Sequence, residues 1–131
     1  MPRHEFEVDV RPHYLPRDSA PDEGRWAFAY TVTLTNRGDA PAQLIARHWI
    51  VRDARGQVQE VRGLGVVGRQ PLIGPGESFS YTSGCQLRTA SGSMQGSYLC
   101  VDEEGASFHC PIPAFVLQAD DDGAHRARVL H

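Results

Sequence analysis

Three glycines near the middle of the chain have the spacing of a nucleotide-binding fingerprint. Gly63, Gly65 and Gly68 follow the pattern Gly-x-Gly-x-x-Gly, in which backbone amides at a helix N-terminus hold a pyrophosphate. That chemistry needs a helix directly after the glycines, but residues 69–76 contain two prolines and two further glycines. Both residue types oppose helix formation. We therefore reject a dinucleotide-binding domain of the Rossmann type.

The same segment, residues 63–76 and called here the glycine-rich loop, has two remaining interpretations. In the first, consecutive amides form an anion-binding nest flanked by Arg62 and Arg69, which would bind a phosphate or nucleotide weakly. In the second, the glycines let the chain cross between two sheets, because glycine adopts positive φ without steric cost. We favour the second, structural interpretation and keep the anion site as the alternative.

Two cysteines and a histidine in the last third of the chain could gather a soft metal ion. A final hairpin would bring Cys100, His109 and Cys110 close together, and these side chains are ligands for zinc or cobalt. However, adjacent residues of a strand point to opposite faces, so His109 and Cys110 do not both ligate without a bulge. The sequence therefore favours small core cysteines, and we predict neither a metal site nor a cofactor.

The remaining reactive side chains do not form a catalytic pattern. Ser83 precedes Gly84 without the strand-to-helix elbow of a hydrolase nucleophile. His48 lies five residues from Asp53 on one predicted strand, too far for the two to act together, so we predict a hydrogen-bonded structural histidine. Arg47 and Trp49 share one face of that strand. They form either a stacked pair or an exposed recognition patch, and the favoured interpretation of Trp49 is a core tryptophan.

These residues must be positioned by β-strands, because apolar and polar residues alternate with a period of two along most of the chain. No window shows the period of an amphipathic helix. Turn residues separate seven predicted strands, at residues 6–11, 26–35, 44–53, 58–62, 77–87, 93–102 and 107–118. Such a pattern is typical of an all-β fold, an antiparallel sandwich of the immunoglobulin or fibronectin type III kind. A Greek-key barrel is the competing architecture.

Composition bounds the partners and the compartment. The chain has 131 residues and a formal net charge of -3, and all 13 of its basic residues are arginine. This charge gives no reason to expect nucleic acid or a membrane as a partner, and the lack of lysine excludes lysine-dependent catalysis. We predict one domain over residues 1–119 and a mobile tail over residues 120–131. Without a signal peptide or membrane span, and with three cysteines, the chain is predicted to be cytoplasmic with free thiols.

Several motifs in fixed order resemble those of the bacterial ApaG family. They are Arg47-His48-Trp49-Ile50, Gly63-Leu64-Gly65-Val66-Val67-Gly68, Gln70-Pro71-Leu72, Pro75-Gly76-Glu77-Ser78-Phe79, Tyr81-Thr82-Ser83-Gly84 and Gly92-Ser93-Met94-Gln95-Gly96-Ser97-Tyr98. The resemblance covers roughly residues 6–117. It implies a fibronectin type III-like sandwich without catalytic activity. It also implies a genetic link to cobalt resistance, to magnesium efflux and to a diadenosine tetraphosphate hydrolase encoded nearby.

On these grounds we predict a non-enzymatic β-sandwich that binds a protein partner through its sheet edges or loops. The candidate residues for partner binding are Arg47 and Trp49. The alternative is a sensor of a nucleotide or polyphosphate, for which the candidate ligand-binding residues are Arg62, Gly63, Gly65, Gly68 and Arg69. The sequence leaves the oligomeric state open, and a homodimer is one alternative.

Overall fold

The computed structural model describes residues 5–119, and the regular secondary structure of these residues is almost entirely β-strand. The eight strands are β1 Phe6–Tyr14, β2 Trp26–Asn36, β3 Ala42–Asp53, β4 Val58–Leu64, β5 Leu72–Ile73, β6 Ser78–Leu87, β7 Ser91–Asp102 and β8 Ser107–Gln118. Two short 3-10 helices, Pro16–Asp18 and Pro21–Glu23, lie between β1 and β2. Over residues 5–119 no helix is long and apolar enough to cross a membrane. The predicted tail, residues 120–131, lies outside the described residues, as do residues 1–4 of the predicted domain.

The strands form two antiparallel sheets. One sheet has three strands in the order β1-β2-β6, and the other has the order β4-β3-β7-β8 with β5 also paired to β3. This confirms the predicted antiparallel β-sandwich and distinguishes it from the competing barrel. The described strands number eight rather than about seven. The additional strand, β5, lies in the segment that we predicted as a plain crossover, where Leu72 and Ile73 pair with Gln43 and Ala42.

Alternation along the strands builds one core between the two sheets. Trp49 of β3 is 2% exposed and packs edge to face on Tyr30 of β2, with ring centroids 5.2 Å apart. The two sheets are also joined by a hydrogen bond between the buried hydroxyls of Tyr81 on β6 and Tyr98 on β7. Burial raises the pKa of both phenols, so the hydroxyls stay protonated at neutral pH.

The two lateral sides of the sandwich differ. On one side β1 lies over β8, where the rings of Phe6 and Phe108 have centroids 6.1 Å apart. On the other side the three-stranded sheet ends at β6 and the five-stranded sheet ends at β4. Val61 of β4 is only half-buried there. The glycine-rich loop connects these two edge strands and is therefore placed at the more open side.

Candidate functional site

The glycine-rich loop is held against β3 by several hydrogen bonds. The amide of Gly65 donates to the carbonyl of Ile45 at 2.7 Å, and the side chain of Gln70 donates to the same carbonyl at 2.9 Å. Further along, the amide of Leu44 donates to the carbonyl of Pro71 at 3.0 Å. A bulge in β3 between Leu44 and Ala46 lies at the same place. The loop is therefore a fixed part of the fold along most of its length.

At its tip the loop makes a two-residue turn. The backbones of Val66 and Arg69 exchange two hydrogen bonds of 2.8 and 2.9 Å, which leaves Val67 and Gly68 as the turn residues. Both have positive φ, 42° at Val67 and 80° at Gly68, as in a type I′ hairpin turn. Positive φ is strained for a β-branched residue such as valine. Val66 is fully buried, whereas Val67 is 54% exposed, so the turn holds one valine in the core and the next in solvent.

The structure explains why glycine is needed at two of the predicted positions in the loop. Gly65 has a φ of 67°, and a Cβ at this position would lie 2.5 Å from the carbonyl oxygen of Arg69. Gly63 has no positive φ, but a Cβ there would lie 2.8 Å from the guanidinium of Arg47. The amides of Gly65, Val66 and Arg69 all donate to carbonyls of the protein itself. The glycines thus have the backbone geometry of the structural interpretation, and three amides of the proposed nest already have acceptors.

The two flanking arginines contact different partners. Arg62 lies on β4, and its guanidinium donates to Glu60 at 3.1 Å; the same carboxylate is 3.1 Å from Nε2 of His48. These contacts, with His48 the larger cause, lower the pKa of Glu60. Arg69 instead lies over the ring of Phe79 on β6, with its guanidinium carbon 5.5 Å from the ring centroid. Each arginine is thus engaged separately, and this arrangement does not direct the pair at one anion.

Arg47 and Trp49 both make contacts within the fold itself. The guanidinium of Arg47 donates to the carbonyls of Leu64 and Gly65, at 3.0 and 2.9 Å. It therefore fastens the beginning of the glycine-rich loop to β3. Trp49 is a core residue, since only 2% of its surface is exposed, and its indole is not available to a partner at the surface.

The structure also shows where the residues considered for metal binding and catalysis lie. In the last hairpin Tyr98 is opposite Cys110 and Leu99 is opposite His109, so the exposed His109 and the buried Cys110 point to opposite faces. Burial raises the pKa of Cys100 to about 12 and of Cys110 to about 11. Among residues 5–119 no group of three or more His, Cys, Asp or Glu side chains could hold a metal ion. His48 is hydrogen-bonded to Glu60, as we predicted for a structural histidine.

An exposed apolar surface accompanies the glycine-rich loop, and sequence reasoning missed it. Leu64 is 74% exposed, Val67 54% and Leu72 68%. These three residues, called here the apolar loop surface, are the majority of the exposed large hydrophobic residues in the part of the chain that the structure describes, the others being Val58 and Val116. Leu64 pairs with Ala46 and Leu72 with Gln43, so both extend from the same edge of β3. Five large apolar residues on one Gly- and Pro-rich segment were the available sequence signal, but the sequence does not show which of them are exposed.

Comparison with known proteins gives a consistent result. A family profile described as the ApaG domain matches residues 16–102. "Protein ApaG" of Acidovorax sp. (strain JS42) is 61% identical over 137 aligned positions that span 100% of both chains. "Protein ApaG" of Ralstonia nicotianae is 54% identical over 89% of this chain and 94% of the relative. A crystal structure described as the putative ApaA protein from Bordetella pertussis superposes with a TM-score of 0.89 at 51% identity, covering 92% of this chain and 98% of that one.

Proposed function

This chain belongs to the ApaG domain family, and on that premise we propose that it is a non-enzymatic module that binds a protein partner through the apolar loop surface. The observation that carries the proposal is the exposure of Leu64, Val67 and Leu72 on a loop that is otherwise fixed to the fold. Exposed apolar side chains that cluster on a well-ordered segment are typical of a protein-interaction site. Recognition by loops is also typical of the immunoglobulin- and fibronectin-like sandwiches that the sequence predicts.

The fixed geometry of the loop favours binding. The Val66–Arg69 bonds and the two bonds from Arg47 hold the turn in place before any partner arrives. A partner then loses little free energy to ordering of the loop, so more of the apolar contact appears as affinity. The strained φ of 42° at Val67 supports the same conclusion, because residues in sparsely populated conformations concentrate at functional sites.

The non-enzymatic part of the proposal rests on the groups that could have been reactive. Burial raises the pKa of all three thiols to about 11 or 12, so they are poor nucleophiles at neutral pH. His48 is held by Glu60, and the carboxylate of Asp53 accepts the amides of Arg55 and Gln57 in a turn. Free thiols are typical of a reducing compartment, and we propose the cytoplasm on that ground.

The alternative function, a sensor of a nucleotide or polyphosphate, has less support. Amides of Gly65, Val66 and Arg69 already have acceptors, and Arg62 is paired with Glu60. The genetic link to cobalt resistance, magnesium efflux and a diadenosine tetraphosphate hydrolase that the family resemblance implies is compatible with a protein partner as well as with a ligand. We therefore keep the nucleotide only as a possible result of the test.

The test compares capture of proteins from a native lysate by the wild type and by matched surface variants. We expect one partner to be retained by the wild type and by Val116→Ser, whose parent side chain is 63% exposed on β8. The same partner should be lost with Leu64→Ser and with Leu72→Ser. Equal retention by all four proteins would refute the apolar loop surface as the binding site, as would retention of no specific protein.

Val67→Asn separates binding from stability. Asparagine tolerates positive φ better than valine, so we expect this variant to be more stable by about 1 kcal/mol. The same change removes an exposed apolar side chain, so capture of the partner should fall although the melting temperature rises. In parallel, ATP and diadenosine tetraphosphate are titrated while backbone amide shifts are recorded. Saturable shifts over residues 63–69 that are lost in Arg69→Ala would favour the sensor instead.

A further inference from the structure

The edge strands of the sandwich differ in how they are protected against pairing with another strand. Apart from the two-residue β5, the edges are β1, β4, β6 and β8. Natural sheets protect their edges with charged side chains and prolines. β1 contains charged residues and Pro12, β4 contains Glu60 and Arg62, and β8 contains two prolines. β6, Ser78–Leu87, is ten residues long and has neither a charged residue nor a proline.

The hydrogen-bond pattern shows which backbone groups of β6 face outward. The amide of Asn36 donates to the carbonyl of Glu77, directly before β6, at 2.9 Å. Because hydrogen-bonded pairs alternate with non-bonded pairs along an antiparallel ladder, Ser80, Thr82 and Gly84 turn their backbone groups away from β2. The same alternation on the other side of β2 puts the nitrogen of Pro12 at the outer edge of β1, where proline is tolerated.

The two sheets also differ in width beyond β6. Tyr81 contacts Tyr98 and Cys85 contacts Met94, so β6 lies over β7. β3 and β4 extend beyond that position, and within residues 5–119 no strand lies over the inner face of β4, where Gln59 is exposed and Val61 half-buried. A cleft of about 680 Å³ lies here, lined by parts of β4, by Val51 and Asp53 of β3, by residues 84–88 and by residues 23–25, which precede β2. The three-stranded sheet has room for one more strand.

We propose that the free edge of β6 binds an extended peptide segment of a partner protein, which becomes the fourth strand of the three-stranded sheet above β4. A single strand fits because neighbouring strands in a sheet lie about 4.8 Å apart. A second folded copy does not fit, since its own second sheet would occupy the space of β4. Addition of a strand to an exposed edge is an established mode of peptide recognition.

The walls of the cleft define the chemistry of the peptide. Val51, Val61 and Cys85 form an uncharged part of the lining, and the lining also includes the charged residues Glu23, Arg25, Asp53 and Arg88. The inward-facing side chains of the peptide that lie against Val51, Val61 and Cys85 should therefore be apolar, and should alternate with outward-facing polar ones. This edge is distinct from the apolar loop surface, because the glycine-rich loop meets β6 through Arg69 at Phe79, at the opposite end from the cleft. The two proposals can therefore fail independently.

Hydrogen exchange in the full chain tests the proposal with a defined probe. The probe is a seven-residue peptide of alternating threonine and valine with blocked ends, and its control has proline at the central position. In the free protein we expect the amides of Ser80, Thr82 and Gly84 to exchange rapidly. The probe should slow their exchange by roughly ten-fold or more at saturation, and the proline peptide should not. Unchanged exchange at these three amides, or protection only on β1 or β8, would overturn the proposal.

A matched pair of variants locates the binding edge. Thr82→Pro and Thr82→Ala both remove the hydroxyl that bonds to Thr31 at 2.8 Å, but only proline removes the outward amide. We expect Thr82→Pro to weaken the probe by roughly ten-fold, the effect of one lost hydrogen bond, and Thr82→Ala to bind within a factor of about two. If the proline variant does not fold, Val61→Lys replaces it, because a charge between Val51 and Cys85, in the uncharged part of the lining, should also weaken binding. Equal binding by all variants, or protection of β6 that depends only on protein concentration, would contradict a peptide partner.

Discussion

The two sheets of the sandwich differ in the regularity of their strand pairing. In the three-stranded sheet the pairing of β2 with β1 and with β6 runs without a register shift. The five-stranded sheet has two bulges, one between Leu44 and Ala46 and one between Met94 and Gly96. Its central strands also approach each other where glycine is required, since a Cβ on Gly96 would lie 2.0 Å from the carbonyl oxygen of His48. The five-stranded sheet therefore depends on bulges and on glycine at particular positions, whereas the strand pairing of the three-stranded sheet is regular.

This difference in regularity indicates which sheet tolerates substitutions at its surface and which one fixes the position of a loop. A regular sheet with a polar outer face tolerates substitution, and the outer face of β2 and β6 is a row of hydroxyl pairs such as Thr33 with Ser80 at 2.7 Å. The bulged sheet instead fixes the position of the glycine-rich loop through β3. Both proposed surfaces lie where the two kinds of sheet meet, at the β4 and β6 side. There a rigid support borders an edge that still has free backbone groups.

The largest expected effect is on glycines of the two sheets. Gly96→Ala in β7 should destabilise the fold by about 3 kcal/mol, because the added methyl meets a backbone carbonyl that cannot move aside easily. Gly84→Ala in β6 is the matched control. Its Cβ would be 3.1 Å from the carbonyl oxygen of Phe28, and alanine favours extended backbone over glycine, so we expect a change within about 1 kcal/mol. Urea unfolding measures the free energy of unfolding of both variants, provided that the dependence of this free energy on urea concentration has the same slope in each.

Equal destabilisation by the two glycine variants would break the comparison between the sheets. It would mean that the three-stranded sheet is packed as tightly as the five-stranded one. A mild effect of Gly96→Ala alone would mean that β3 and β7 separate readily, contrary to the close contact at His48.

The next effect concerns the bond that joins the sheets. Tyr81→Phe or Tyr98→Phe leaves the partner hydroxyl buried without its hydrogen bond, so each should cost about 1–3 kcal/mol in the free energy of unfolding. The double variant should cost clearly less than the sum, because both polar groups are then gone. A double-mutant cycle in urea measures the coupling. Additive losses would indicate that the two sheets are not coupled through this pair.

Most of the fold could be predicted from the sequence because one face of each sheet is buried. Period-two alternation located β2, with Phe28, Tyr30 and Val32 on its inner side, to within a residue or two at its ends. The two-residue β5 could not be predicted in this way, since Leu72 and Ile73 are too few to show a period. Bulges also escape alternation, because an extra residue such as that between Leu44 and Ala46 exchanges the two faces locally.

The candidate site was less predictable than the fold. Positive φ at Gly65 and Gly68 could be expected because glycine adopts it without steric cost, and both angles are as the structural interpretation requires. Positive φ at Val67 does not follow, because intrinsic preference points the other way and only the surrounding bonds impose it. Arg47 was placed on the correct face with Trp49, but its bonds to two loop carbonyls depend on contacts between distant segments. Local patterns contain no information on such contacts.

The smallest expected difference is one of reaction rate, and it compares the thiols of the two sheets. Cys85 on β6 is half-buried, whereas Cys100 and Cys110 on β7 and β8 are fully buried. Burial raises the pKa of Cys85 to about 11 and that of Cys100 to about 12, so at pH 8 nearly all of each thiol is protonated and slow to react. Because the thiolate is the nucleophile, iodoacetamide should label the native protein slowly and Cys85 first, and the rate should rise with pH while the fold persists. In denaturant without reductant, intact mass should show one adduct on each of the three cysteines. A single adduct would establish a disulfide, and labelling of Cys100 as fast as Cys85 in the native state would mean that the five-stranded sheet opens as readily as the edge of the three-stranded one.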